Sequence, residues 1–248
     1  MDNYTLVTGA SSGFGAAIAR RFGKEGRPLI LAARREEKLE ALKEELKDSA
    51  QEIITISLDV RDEKAVSEAL SPYAEKVSIL INNAGLALGL EPAQQAKISD
   101  WDTMVDTNIK GLLYVTNAIL PSMVKRDHGL IINMGSVAGK YPYPGGNAYG
   151  ATKAFVRQFT RNLKADLLGT KVRVTNIEPA AAETEFSLVR HKGNDERAGE
   201  LYKGWEPFTA DDIAETCYWI SSLPERMNVN CIEIMGTGQS FGPFRFAK

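Results

Sequence analysis

Tyr4-Thr5-Leu6-Val7-Thr8-Gly9-Ala10-Ser11-Ser12-Gly13-Phe14-Gly15 is the stretch that decides the fold. Its first five residues, mostly β-branched, aromatic or apolar, read as a strand over 4–8. Glycines at 9, 13 and 15 then allow a tight turn, a close approach of the backbone to a pyrophosphate, and a helix N-terminus aimed at that charge. Three glycines alone are a weak signal. Placed directly after a strand and at the opening of a helix over 13–24, they become a strong one. Gly9, Ser11, Ser12, Gly13, Phe14 and Gly15 are therefore expected to hold a dinucleotide.

Outward from this loop the same rhythm repeats. Short apolar runs at 28–33, 53–58, 79–81, 130–134, 172–177 and 231–235 read as further strands. Helical patterns at 36–46, 63–70, 101–125, 148–168 and 209–222 lie between them. Strands that are apolar throughout, rather than alternating, belong to a sheet covered on both faces. The expected fold class is α/β, a Rossmann-like doubly wound parallel sheet of about seven strands flanked by helices. No repeat, low-complexity tract or linker divides the chain. One dinucleotide-binding and catalytic domain over 1–248 is expected, with a polar substrate loop at about 180–206.

Composition narrows the class. The 248 residues are 44% hydrophobic and 25% charged, ordinary values for a globular chain, and the formal net charge of -2 argues against a nucleic-acid partner. No apolar run approaches the roughly 18 residues that span a bilayer, and the N-terminus lacks a basic, apolar secretion signal. Cys217 and Cys231 form no metal-like pair and are expected to be buried small hydrophobes; His128 and His191 are expected on the surface. No metal is expected, and a cytoplasmic location is.

The end of the second strand selects between nicotinamide cofactors. An acid there would bind a ribose 2′-hydroxyl and repel a 2′-phosphate. This chain has Ala32-Ala33-Arg34-Arg35, and two guanidiniums suit a phosphate. NADP(H) is the expected cofactor. Asp59 and Val60, closing the third strand, are expected to meet the adenine.

Tyr149 and Lys153 are four residues apart on one helix and share a face. A free phenol titrates near 10, so an adjacent ammonium and an oxidised nicotinamide would have to lower it for proton transfer at neutral pH. Ser136, after the fifth strand, sits where it can bind a substrate oxygen. With Thr8–Gly15, Asn82-Asn83-Ala84-Gly85, Asn108 and Tyr149-Gly150-Ala151-Thr152-Lys153, the whole chain resembles the short-chain dehydrogenase/reductase family in its compact form. That resemblance implies Tyr149 as general acid/base, Ser136 as holder of the substrate oxygen, and Lys153 on the nicotinamide ribose. It implies Asn108 in a water-linked relay through Lys153, with Asn82, Ala84 and Gly85 bordering the adenosine ribose. Pro179, Ala182 and Thr184 join the cofactor side.

Several stretches narrow the resemblance to NADP-dependent 3-hydroxy acid dehydrogenases, including those for serine and allo-threonine. They are 83–89, 141–147, 154–159, Ile177-Glu178-Pro179, Glu183-Thr184-Glu185-Phe186 and Gln239-Ser240-Phe241. A carboxylate substrate calls for a basic partner, and Arg190 and Lys192 are the candidates; Tyr143, Ala180 and Ala181 are expected beside it. The family commonly has Pro-Gly after the sixth strand, whereas Pro179 here precedes Ala180-Ala181-Ala182, and Gly236 stands where related enzymes tend to have proline. Alanine tolerates positive φ poorly, so this loop is expected to be restrained differently. An enlarged pocket for bulky ketones is the alternative reading; a non-catalytic NADP-binding regulator or an epimerase stands further off. By resemblance alone the chain is expected to be a homotetramer.

Overall fold

The computed structural model describes residues 3–193 and 202–241. Seven parallel strands form one sheet in the order β3-β2-β1-β4-β5-β6-β7. They are β1 (Tyr4–Thr8), β2 (Leu29–Ala33), β3 (Ile53–Ser57), β4 (Val77–Asn82), β5 (Gly129–Met134), β6 (Val172–Pro179) and β7 (Cys231–Ile234). The chain winds outward from β1 to β3, then crosses back to β4 on the other side of β1. That reversal opens a crevice at the carboxyl ends of β1 and β4, where ligands of such sheets bind.

Alternate strand residues feed two cores. Leu6, Leu80, Ile131 and Val174 face α3 (Glu63–Leu70), α5 (Leu112–Lys125) and the distal half of α6 (Asn147–Asp166). Val7, Ile81, Ile132 and Ile177 face α1 (Gly13–Gly23), α2 (Glu36–Leu46) and α8 (Ala210–Ser222). Each buried Leu or Ile side chain contributes about 1.5–3 kcal/mol. Helix α2 shows how the pattern works: Leu39, Leu42 and Leu46 are buried at helical spacing while its Glu and Lys residues face water.

The structure departs from the sequence reading in several places. The fourth strand is twice the expected 79–81, because Ser78 and Asn82 at its ends find partners inside the sheet and are buried with it. The expected helix over 101–125 is α4 (Ile98–Val105), then a π-helical turn Asp106–Gly111, then α5. A Cβ on Gly111 would lie 2.6 Å from Val60 Cγ2, so the wide turn brings backbone directly against the loop after β3. Cys217 is buried as expected, but Cys231 is exposed because β7 is an edge strand. His128 is exposed beside Glu225, whereas His191 is half-buried. Of the polar stretch after β6, α7 (Glu185–Arg190) is helical; residues 194–201 lie outside the described part.

Candidate active site

The phosphate loop has the geometry its glycines demand. Gly9 and Gly13 have φ of +66° and +51°. A Cβ on Gly15 would lie 2.3 Å from the Gly9 carbonyl oxygen, so only glycine lets α1 start this close to β1. Ser12 is the N-cap of α1 but its side chain makes no capping hydrogen bond to the helix amides, and no acid follows in the first turn, leaving that helix terminus to an anion. Phe14 packs onto the core below. Asn83, on the segment after β4, donates from Nδ2 to the carbonyls of Thr8 and Gly9 at 2.9 and 3.3 Å. The backbone amides of Asn83 and Ala84 both reach Thr8 Oγ1. Asn83 thus braces the loop, a task the sequence reading left unassigned.

Asn82 does not line the crevice. Its Nδ2 donates to Thr116 Oγ1 and Asn133 Oδ1, both at 2.9 Å, and it is buried in the sheet. The odd-even alternation along β4 sends this side chain inward, where it braces the sheet, and leaves only the backbone of residue 82 toward the crevice. Gly85 does border the site, since its Cβ would meet Asn108 Oδ1 at 3.2 Å and Lys153 Nζ at 3.6 Å.

At the end of β2 the two arginines part company. Arg35 donates to Ser11 Oγ and Ser12 Oγ, and to a carboxylate oxygen of Glu185. Arg34 is exposed, on the side of Asp59. Lys38, which the sequence reading passed over, also bonds Glu185, at 2.7 Å. Asp59 is gripped by Arg61, which with further help from Arg34 holds its carboxyl below the usual range. Val60 is buried against the π-helical turn.

The buried stripe of α6 contains Tyr149, Thr152, Lys153 and Val156. Helical spacing therefore delivers the phenol and the ammonium to one place. Lys153 Nζ donates to the Met134 carbonyl at 2.7 Å and lies 5.8 Å from the Tyr149 ring centroid. Burial pulls its pKa down to about 8. Ser136 bonds the Pro179 carbonyl and accepts from the Ala138 amide, which fixes its hydroxyl beside Tyr149. The expected lowering of the phenol's pKa includes the charge of a bound oxidised nicotinamide, and the chain by itself sets a different starting point. Burial pushes Tyr149 up to about 12, against the opposing pull of Arg190 and the Ser136 hydrogen bond. The chain alone thus keeps Tyr149 protonated.

Asn108 sits in the π-helical turn, and both its side-chain oxygen and its side-chain nitrogen are hydrogen-bonded. Its Oδ1 accepts from the Leu86 amide at 2.9 Å, and its Nδ2 donates to the Leu86 carbonyl and to Thr152 Oγ1 at 2.8 and 3.0 Å. It ties the loop after β4 to the helix that carries Tyr149 and Lys153.

The segment after β6 closes over Tyr149. Thr184 caps α7 and lies against the phosphate loop, 3.6 Å from a Cβ built on Gly13. Arg190 lies 4.9 Å over the Tyr149 ring, 5.1 Å over Phe186, and donates to Tyr143 Oη at 3.2 Å. Its Nε is buried with no hydrogen-bond partner among the described residues. Lys192 has φ of +53° and turns away to an ion pair with Asp100 at 2.7 Å, outside this cluster. The three alanines carry no strain, because none has positive φ. The Ala180 and Ala181 amides donate to the Ile234 carbonyl and Gln239 Oε1, while Tyr202 donates to the Ala182 carbonyl. Gly236 leaves room for Trp205, 3.2 Å from where a Cβ would stand.

Comparison with known proteins agrees with this layout. The NADP-dependent 3-hydroxy acid dehydrogenase of Salmonella typhi is 53% identical over 240 residues, covering 95% of this chain and 96% of that protein. Serine 3-dehydrogenase of Agrobacterium fabrum is 52% identical, covering 99% and 98%. The closed form of a serine dehydrogenase complexed with NADP+ is 50% identical, covers 99% of each chain and has a TM-score of 0.93. The family model for short chain dehydrogenases matches residues 3–194, a span that holds the phosphate loop, Asn108, Ser136, Tyr149, Lys153 and Arg190. On that match and that geometry, the chain belongs to the short-chain dehydrogenase family.

Proposed function

We propose that this chain is an NADP(H)-dependent dehydrogenase that interconverts short 3-hydroxy acids and their 3-oxo acids. The observation that carries the substrate class is Arg190, a guanidinium with a buried free Nε, stacked over the ring of the buried Tyr149. A bare ketone or alcohol needs no such group, whereas a carboxylate forms charge-assisted hydrogen bonds with it. The named activities of the relatives support the same class.

The residues present fit the cofactor. The glycine turn and the uncompensated start of α1 suit a pyrophosphate, and Arg35 with Lys38 suits a 2′-phosphate. Bound there, NADP(H) supplies or takes up the hydride. In reduction the protonated Tyr149 gives its proton to the substrate oxygen, which Ser136 holds by hydrogen bond. In oxidation the Tyr149 oxygen takes the hydroxyl proton, and Lys153 stabilises the phenolate as a neighbouring charge. Phe186 and Tyr143 exclude water from Tyr149, and Asn108 positions α6 through Thr152. The well-tied Ala180–182 stretch and the closed cover favour a small acid over a bulky ketone.

Among the described residues no helix is long and apolar enough to cross a membrane, and no cluster of three or more His, Cys, Asp or Glu could hold a metal. We place the protein in the cytoplasm as a homotetramer, a state that light scattering of the purified chain would measure. The function is tested by initial rates with NADP+ and serine or other short 3-hydroxy acids, beside NADPH with carboxylate-free ketones. Turnover confined to the acids supports the proposal; turnover confined to ketones overturns it.

A further inference from the structure

The cations at the end of β2 are met by a carboxylate from the other side of the crevice. Glu185 opens α7, and its Oε2 accepts from both Arg35 Nη1 and Arg35 Nη2 at 3.1 Å. Its Oε1 accepts from Lys38 Nζ at 2.7 Å. The same Arg35 holds both loop serines, Ser11 and Ser12. One acidic side chain therefore links the second strand, the phosphate loop and the segment that covers Tyr149. Lys38 first, and then Ser12 and Arg35, hold the Glu185 carboxyl below the ordinary range, so it is ionised at neutral pH.

A 2′-phosphate needs these same donors. It carries up to two negative charges and three acceptor oxygens, against the single charge and two oxygens of a carboxylate. We propose that Glu185 is an internal competitor for the cofactor's 2′-phosphate: the phosphate must displace it from Arg35 and Lys38, and that exchange of partners releases α7. The proposal rests on the reading of the chain as an NADP(H) enzyme. A nucleotide with a bare 2′-hydroxyl brings no charge to exchange and leaves Glu185 on its cations. The competitor therefore loosens the hold on NADP(H) alone. It also makes α7, which carries Phe186 and Arg190, respond to the one group that distinguishes the two nicotinamide cofactors.

The size of the effect follows from exposure. The side chains of Arg35, Lys38 and Glu185 are 42%, 41% and 39% exposed, so each pair is partly screened by water. Neutralising Glu185 is expected to tighten a 2′-phosphate by about three- to tenfold.

The test titrates adenosine 2′,5′-bisphosphate and adenosine 5′-monophosphate into the full chain and into Glu185→Gln by calorimetry. Glu185→Ala serves as a second variant, and thermal melts check that both fold. The expected result is tighter bisphosphate binding in both variants, with monophosphate binding within about twofold of the parent. The gain should shrink at about 0.5 M salt, because screening weakens the internal pairs as well. Bisphosphate binding that is unchanged or weaker overturns the proposal. An equal change for both nucleotides also overturns it, since Glu185 would then act on the crevice as a whole. Failure of the underlying cofactor reading has a separate signature: the parent chain would bind both nucleotides equally, and Arg35→Ala with Lys38→Ala would leave that equality untouched.

Discussion

Replacing Arg190 with methionine isolates the contact on which the substrate class depends. Methionine keeps an unbranched apolar stem against Tyr149, Tyr143 and Phe186 but removes the guanidinium. Two of the guanidinium's donor groups define the loss. Nη2 is already used on Tyr143, whereas the buried Nε has no partner among the described residues, an unmet donor that a carboxylate entering the site would satisfy once the cover shifts to admit it. A hydrogen bond to a charged group contributes about 1.5–3 kcal/mol. One such bond then corresponds to roughly a 10- to 150-fold fall in kcat/KM for a 3-hydroxy acid. The assay compares kcat/KM for a 3-hydroxy acid with that for an alcohol of similar size that lacks the carboxylate, both with NADP+. The acid should lose the full factor and the alcohol less than about threefold, on the same scale. A parallel loss on both substrates would refute the reasoning, because Arg190 would then be packing the cover rather than reading the acid. A melting temperature well below the parent's would point the same way.

Further outcomes can be stated from other contacts. Tyr149→Phe should lower kcat by at least about 100-fold while leaving NADPH binding near normal by fluorescence titration; near-parent turnover would remove Tyr149 as the acid/base. Gly15→Ala drives a methyl to within 2.3 Å of the Gly9 carbonyl, so it should lower stability by about 1–3 kcal/mol in denaturant melts and weaken NADPH. Parent-like behaviour in both would show that the loop has slack. Lys153 carries a pH signature, since its pKa falls from 10.5 unfolded to about 8 folded. Between those values the unfolded chain binds the extra proton, so stability should rise with pH across that window. Relative to Lys153→Met, the parent should gain roughly 3 kcal/mol over the full range, and a flat difference would contradict the burial argument.

What the sequence made legible was whatever is local and periodic. The phosphate loop is contiguous, and Tyr149 and Lys153 are one helical turn apart, so both could be read directly. Strands β1 and β2 were found nearly to the residue because buried parallel strands are largely apolar, and the half-buried edge strand β3 because of its run of β-branched residues. The π-helical turn was not legible, as the weak helix formers of Asp106–Gly111 do not specify a wider turn, and the close approach of Val60 to Gly111 joins parts of the chain far apart in sequence. Glu185 and Lys38 escaped notice for the same reason, being 147 residues apart and joined only by the fold. Arg190 and Lys192 looked equivalent until the backbone turned at the end of α7 and sent them to different partners. The sign of the Tyr149 shift was also out of reach, because it depends on how completely Phe186 and Tyr143 cover the phenol.

The position of Arg190 over Tyr149 joins recognition to proton affinity. Its positive charge is one of the influences drawing the phenol's pKa down from the value that burial sets. A substrate carboxylate seated on Arg190 would cancel that influence, and the Tyr149 oxygen would become the stronger base at the moment an acid substrate arrives. An alcohol without a carboxylate would leave the charge uncancelled and face a weaker base. One side chain would then set both the affinity for an acid and the protonation of Tyr149, and the raised phenol keeps the proton that reduction of the oxo acid uses. The enzyme's pH–rate curve for acids would lie above that for uncharged alcohols along the pH axis.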